Sequence, residues 1–107
     1  MSETSDKICL LIQEGSVRIS EHGYDELASD GLSAREVVAG INAGVVVEDY
    51  PDYPKGPCVL LLQKDRDGQP IHVVWGIPRG QAGPAVLVTA YRPDPAVWVD
   101  DFMRRRA

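Results

Sequence analysis

The stretch VLLLQKDRDGQPIHVVWGI, from Val59 to Ile77, decides the fold of this 107-residue chain. It contains two apolar runs separated by the pair Asp67-Gly68, which is a strong short-range signal for a tight hairpin turn. We therefore predict two antiparallel strands, Val59–Lys64 and Ile71–Ile77.

The second of these strands has two different faces. Ile71, Val73 and Trp75 alternate with His72 and Val74. Because successive side chains of a strand point to opposite faces, the apolar positions share one face and the histidine lies on the other. We expect helices to cover the first face and a cleft to occupy the second.

Two further strands flank the hairpin, at Val45–Asp49 and Val86–Tyr91. Between the first of them and the hairpin lies YPDYPKGP, residues 50–57. Its prolines fix φ and remove backbone donors. We predict a stiff connection that leaves the sheet edge without further pairing.

Helix signals surround the strands. Thr4 or Ser5 can cap a first helix, and Ser20 a second that runs to about Ser29; Ser16 to Ile19 forms an extended link between them. Ser33 and Glu36 have the spacing of a capping box for a third helix. Asp94 and Pro95 predict a last short helix to about Arg104.

This order of elements predicts an α+β protein. N-terminal helices are followed by a four-stranded antiparallel sheet and a short C-terminal helix. Residues 1–107 are expected to form a single domain, since that length supports one hydrophobic core.

Charge is unevenly distributed along the chain. The net charge is −5, which argues against a general nucleic-acid-binding surface. Residues 1–54 carry 11 acidic and 3 basic side chains, whereas residues 55–107 carry 5 acidic and 8 basic ones. An anionic ligand is therefore expected to meet the second half, although three of its bases, Arg104 to Arg106, can equally form a solvated tail.

Composition predicts a cytoplasmic protein. The N-terminus lacks a basic region and a cleavage site of the secretory type, and no apolar run spans a bilayer. Cys9 and Cys58 have no partners at metal-binding spacing, so they are interpreted as buried thiols in a reducing compartment. No metal and no cofactor are predicted.

Two histidines are candidate proton carriers. His22 lies near the N-terminus of the second helix, where an imidazolium is disfavoured. His72 lies in the middle of a sheet and needs a hydrogen-bond partner if it is covered. Either one can instead be a purely structural histidine.

Candidate polar residues also end two strands. Glu48 and Asp49 are adjacent and must point to opposite faces, so only one carboxylate can share the cleft of His72. We expect that carboxylate to accept a hydrogen bond from His72 or from a backbone amide. Tyr50 follows this pair, and Glu48, Asp49 and Tyr50 are the candidate substrate-binding residues.

Tyr91 and Arg92 end the last strand. A hydroxyl and a guanidinium at a sheet end can hold a phosphate or a carboxylate. Alternatively, Tyr91 packs under Trp98 and Arg92 lies in solvent.

Four segments, SEHGYDEL, VVVEDYPDYPKGP, GQPIHVVWG and TAYRPDPAVW, together resemble the bacterial domain of unknown function 4258 family over about residues 20–102. The resemblance implies a fold similar to that of RelE-like and barnase-like toxins, whose relatives include metal-independent ribonucleases. The resemblance implies that His22, Glu48 to Tyr50, His72 and Tyr91 are functional positions. Glu26 stands where the family pattern commonly has an arginine, which puts phosphate binding there in doubt.

Three functions remain open, and the sequence does not decide whether the chain is an enzyme. The first is RNA cleavage, with His72 and His22 as acid and base and Tyr91 with Arg92 at the phosphate. The second is a non-catalytic interaction module that binds a basic or a DNA-binding, antitoxin-like protein. The third is a small-molecule pocket lined by Tyr50, His72, Trp75 and Tyr91.

Overall fold

A computed structural model describes residues 2–106 of the chain. The elements in chain order are α1 (Glu3–Gln13), β1 (Val17–Ile19), α2 (Glu21–Ser29), α3 (Ala34–Ala39), a 3-10 turn (Ile41–Ala43), β2 (Val45–Tyr50), β3 (Cys58–Lys64), β4 (Pro70–Gly76), β5 (Ala85–Tyr91), β6 (Trp98–Val99) and β7 (Arg104–Arg105). The predicted α+β class is confirmed.

The main sheet has five strands in the order β1-β5-β4-β3-β2. The predicted β3–β4 hairpin is confirmed, with Leu61 opposite Val73. Its turn is held by Asp65, whose Oδ1 accepts hydrogen bonds from the backbone N–H groups of Asp67 at 2.9 Å and Gln69 at 2.8 Å.

The prediction of a four-stranded antiparallel sheet is wrong at one edge. The segment predicted as an extended link is β1, which pairs in parallel with β5 and places Val17 opposite Ala85. A strand of three residues has almost no periodicity to detect, and its partner lies 68 residues away along the chain.

The predicted C-terminal helix is also wrong. Asp94 does cap a single turn, since its Oδ1 accepts a hydrogen bond from the Ala96 N–H at 2.8 Å. The chain then forms an antiparallel ribbon in which Trp98 faces Arg105. Val97, Trp98 and Val99 are β-branched or aromatic residues, which lose side-chain freedom in a helix, and the Trp98 side chain is buried against His72.

Side-chain caps begin the three helices. The cap of α1 is Ser2 rather than the predicted Thr4 or Ser5, and its Oγ accepts from the Ser5 N–H at 3.1 Å. The predicted cap at Ser20 and the capping box of Ser33 with Glu36 are confirmed.

Helices cover one face of the sheet, as the alternation in β4 predicts. Ile8 of α1, Leu27 of α2 and Val37 of α3 join the buried cluster that Val73 and Trp75 form on that face. The even-numbered residues of β4 point to the opposite face, which the helices leave uncovered.

The connection between β2 and β3 pairs more than the sequence predicts. The carbonyl oxygen of Pro57 accepts from the Ile77 N–H at 3.0 Å, and that of Lys55 accepts from the Arg79 N–H at 3.1 Å. The expectation of a connection without further pairing is therefore wrong. Gly56, with φ 126°, permits this approach, because a Cβ there would lie 2.0 Å from the Ile77 oxygen.

A buried glutamine joins the sheet to α3. Gln63 accepts a hydrogen bond from Trp75 Nε1–H at 3.0 Å and donates one to the Val37 carbonyl at 2.8 Å. That carbonyl lies in the last turn of α3, where helix carbonyls lack intrahelical partners.

Replacing Gln63 by leucine should therefore destabilise the protein by about 2 kcal/mol, because it orphans one buried donor and one buried acceptor. Urea denaturation measures the change in the free energy of unfolding. Gln81→Leu is the matched control at an exposed position, with an expected change within about 0.5 kcal/mol. Equal effects of the two substitutions would contradict the bridging role of Gln63.

Candidate functional site

A groove of about 590 Å³ lies on the sheet face that the helices do not cover. Its floor is apolar and is formed by side chains of the three central strands, among them Leu60, Val74 and Val86. Tyrosines and cations also line it: Tyr50, Tyr53, Tyr91, Arg18, Lys55 and Arg105. The groove therefore offers flat apolar contact and positive charge together.

A β-bulge turns Glu48 toward this groove. Val46 lies opposite Leu61, but Glu48 lies opposite Leu60, so Val47 is the extra residue of β2. An added residue exchanges the faces of all the side chains that follow it. Without the bulge, Glu48 would point to the helix-covered face.

Glu48 is held by two neighbours. Its carboxylate accepts hydrogen bonds from the Tyr50 hydroxyl at 2.6 Å and from Arg105 Nε and Nη2, both at 3.1 Å. The Arg105 guanidinium also lies 4.7 Å from the centre of the Trp98 ring. The hydrogen bond from Arg105 lowers the pKa of Glu48, with Tyr50 adding to the effect, so the carboxylate is ionised at neutral pH.

His72 lies beneath the C-terminal ribbon rather than in the open groove. It is fully buried. Its Nδ1 lies 3.1 Å from the Tyr91 hydroxyl and its Nε2 lies 2.8 Å from the Phe102 carbonyl oxygen. Trp98 packs edge-on against the ring, with centroids 4.3 Å apart. Burial lowers the pKa of His72, which keeps the imidazole neutral.

The predicted hydrogen-bond donors to the cleft carboxylate are wrong. Alternation placed one carboxylate on the His72 face, and Glu48 occupies that position, but it is bound by Tyr50 and Arg105 rather than by His72 or a backbone amide. Asp49 lies by α1, beside Thr4 and Lys7.

Three other candidates lie outside the groove. His22 is exposed on α2, with Nε2 3.6 Å from Glu26 Oε1. Arg92 pairs with Asp65 at 2.9 Å at the hairpin turn, so it does not join Tyr91 in the groove. Trp75, expected to line a small-molecule pocket, is buried on the helix-covered face.

Arg105 was not among the predicted site residues. It appeared as part of a basic tail, because its position depends on the β6–β7 ribbon that the predicted helix replaced. Lys55 and Arg18 were missed for a similar reason, since each lies in a segment that was predicted as a connection. The one usable signal was the excess of bases in the second half of the chain.

Acidification should destabilise the protein in two steps. His72 has a lowered pKa when folded, so the unfolded chain binds more protons as pH falls below about 6.5, the ordinary histidine value. The lowered pKa values of Glu48 and Asp65 cause a second loss of stability below about pH 4.3, the ordinary glutamate value.

Urea midpoints measured against pH test this expectation. His72→Gln should remove the first step and leave the second, whereas His22→Gln, at the exposed histidine, should leave both. A first step that persists in His72→Gln would contradict the assignment.

Within residues 2–106, no three His, Cys, Asp or Glu residues lie close enough together to hold a metal ion. No helix in the same range is long and apolar enough to cross a membrane. Cys58, on the groove wall, is a free thiol whose pKa is raised by burial.

Comparison with known proteins gives one result. Residues 19–92 match the model of a family described as a domain of unknown function, DUF4258. The match covers more than half of the chain and includes the groove strands from β2 to β5. No curated protein matches the chain, and no solved structure matches it.

Proposed function

This chain belongs to the DUF4258 family, and we propose that its groove binds single-stranded RNA and cleaves it without a metal ion, in the manner of RelE-like and barnase-like toxins. One observation carries the proposal. Three tyrosines and three cations surround an apolar floor that also holds an ionised carboxylate.

The groove suits a single strand better than a duplex. Bases stack on aromatic side chains without regard to sequence, and Tyr50 and Tyr53 are both exposed at the groove wall. Phosphates are attracted to Lys and Arg side chains, which Arg18, Lys55 and Arg105 supply. The acidic residues that make the net charge negative are concentrated in the first half of the chain, which contains the helices.

The reaction needs a proton acceptor and a cation. The 2′-oxygen of a ribose attacks the adjacent phosphorus, the bond to the 5′-oxygen breaks, and a 2′,3′-cyclic phosphate forms. The attacking hydroxyl loses a proton to the protein, and the leaving oxygen gains one from water in the open groove. Arg105, fixed by Glu48, is placed to neutralise charge on the pentavalent phosphorus.

Binding can be tested separately from cleavage with an RNA that carries 2′-O-methyl groups and so cannot react. Backbone NMR shifts of Tyr50, Val74 and Val88 should change on titration, whereas those of α2 should not. Shifts confined to α2, or no shifts, would contradict the proposal.

Lys55→Gln should weaken this binding and reduce the slope of log affinity against log salt by about one. The reason is that Lys55 lies in the groove wall and would contact one phosphate. Lys64→Gln is the matched control, an exposed lysine outside the groove, and should change neither quantity. Equal losses in both variants would show that net charge, not the groove, binds RNA.

A second candidate is an interaction module, favoured by the exposed residues of α2. Glu21, Tyr24 and Asp25 are all exposed there, which suits a basic partner such as a DNA-binding, antitoxin-like protein. Tyr24→Ala should weaken capture of such a partner and leave RNA binding unchanged.

A further inference from the structure

The Phe102 carbonyl fixes the tautomer of the neutral His72 ring. A carbonyl oxygen only accepts hydrogen bonds, so the imidazole nitrogen 2.8 Å from it, Nε2, carries the hydrogen. In the neutral ring Nδ1 is then an acceptor. The Tyr91 hydroxyl, 3.1 Å from Nδ1, must donate its hydrogen to that nitrogen.

The turn that presents this carbonyl is unusual. Asp100, Asp101 and Phe102 have φ values of 55°, 56° and 68°. Consecutive left-handed residues other than glycine are strained, and such strain persists only where the surrounding packing imposes it. The turn joins β6 to β7 and brings the Phe102 carbonyl oxygen to 2.8 Å from His72 Nε2, while Trp98 packs against the same imidazole ring.

The direction of the Tyr91 hydrogen matters because Tyr91 lines the groove. With its hydrogen turned toward His72, the phenolic oxygen has only lone pairs to offer a ligand. Tyr91 therefore faces the groove as a proton acceptor, although tyrosine is more often a donor.

We propose that Tyr91 is the catalytic residue that takes the 2′-hydroxyl proton of RNA, and that His72 acts through it as the positioning residue. This inference rests on the proposed function. As the 2′-oxygen attacks phosphorus, its proton passes to the Tyr91 oxygen, and the hydrogen already on that oxygen passes to His72 Nδ1. Tyrosine stays neutral, and histidine becomes an imidazolium that later returns its proton through Tyr91 to solvent.

Burial of His72 disfavours the imidazolium, and the two charges near the pair act on it in opposite directions. Glu48 on β2 and Arg105 on β7 are the charged groups whose fields reach both Tyr91 and His72. Glu48 stabilises the imidazolium, and Arg105 opposes it until a phosphate partly neutralises the guanidinium. Glu48 is the weaker candidate for the acceptor, because three hydrogen bonds already occupy its oxygens.

Two measurements test the inference. The first is the ¹⁵N NMR spectrum of the histidine ring nitrogens in RNA-free protein. The chain has only two histidines, so the variant His22→Gln leaves the signals of His72 alone. We expect Nε2 protonated and Nδ1 not. The reverse tautomer would overturn the inference whether or not RNA is cleaved.

The second is cleavage of single-stranded RNA by Tyr91→Phe, with chelator present. We expect a rate about 100-fold below that of the unsubstituted protein, with unchanged affinity for the 2′-O-methyl RNA. The cleavage rate of the unsubstituted protein should fall as the pH is lowered, because His72 Nδ1 becomes protonated and can no longer accept a hydrogen. The small remaining rate of Tyr91→Phe should not show this dependence on pH. Tyr24→Phe, on α2, should behave as the unsubstituted protein.

The outcomes separate the two proposals. Cleavage that survives in Tyr91→Phe overturns the relay and leaves the ribonuclease in place. An unsubstituted protein that leaves RNA intact overturns the ribonuclease, and with it the catalytic role of Tyr91, even if His72 has the expected tautomer.

Discussion

Replacing Arg105 by glutamine should lower the rate of metal-free RNA cleavage by about 100- to 1000-fold. Removing one preorganised group that stabilises a charged transition state typically has an effect of this size. Arg105 is such a group, because two hydrogen bonds to Glu48 and the Trp98 ring hold its guanidinium at the groove. The measurement is the single-turnover rate on a labelled RNA.

The neighbouring residue provides a close control. Arg104 pairs with Asp100 at 2.8 Å on the exposed turn and does not line the groove. Arg104→Gln makes the same change in net charge and should keep nearly the full rate. Equal losses from the two substitutions would mean that bulk charge, rather than the position of Arg105, governs cleavage.

Replacing Trp98 by alanine should lower the free energy of unfolding by about 3 to 4 kcal/mol, the usual effect of truncating a buried tryptophan. Trp98 is only 5% exposed. It packs against His72, and the Arg105 guanidinium lies over its ring, so its loss leaves a cavity and weakens the packing of the ribbon that supplies Arg105 to the groove. Urea denaturation at neutral pH measures the loss.

Val97→Ala is the matched control, because Val97 is exposed and should change stability by no more than about 0.5 kcal/mol. The pKa of His72 provides a second readout. Burial lowers it in the intact protein, so uncovering the ring in Trp98→Ala should raise it toward its ordinary value. A Trp98→Ala protein with unchanged stability and unchanged His72 titration would contradict the packing of the C-terminal ribbon.

The sequence predicts the centre of the fold better than its edges. The β3–β4 hairpin and the two faces of β4 follow from an Asp-Gly turn and from alternation, which are local signals. β1 and the β6–β7 ribbon cannot be predicted from local signals, because both are short and depend on distant partners. Trp98 shows the reason: its burial against His72 outweighs the helix start that Asp94 and Pro95 indicate.

The candidate site was predicted only in part. Glu48, Tyr50 and Tyr91 line the groove, and His72 lies beneath it. The partners of these residues could not be predicted, because a bulge at Val47 decides the face of Glu48 and a ribbon at the end of the chain supplies Arg105. Neither feature leaves a pattern in the sequence.

The central claim is that the groove cleaves RNA by attack of the 2′-hydroxyl. Its most direct test is to incubate the purified protein with a defined single-stranded RNA in excess chelator and to identify the ends of the products. The account predicts 2′,3′-cyclic phosphate and 5′-hydroxyl ends, formed at similar rates by the unsubstituted protein and by Arg104→Gln, and about 100- to 1000-fold more slowly by Arg105→Gln. Intact RNA, or products with 5′-phosphate ends, would contradict it.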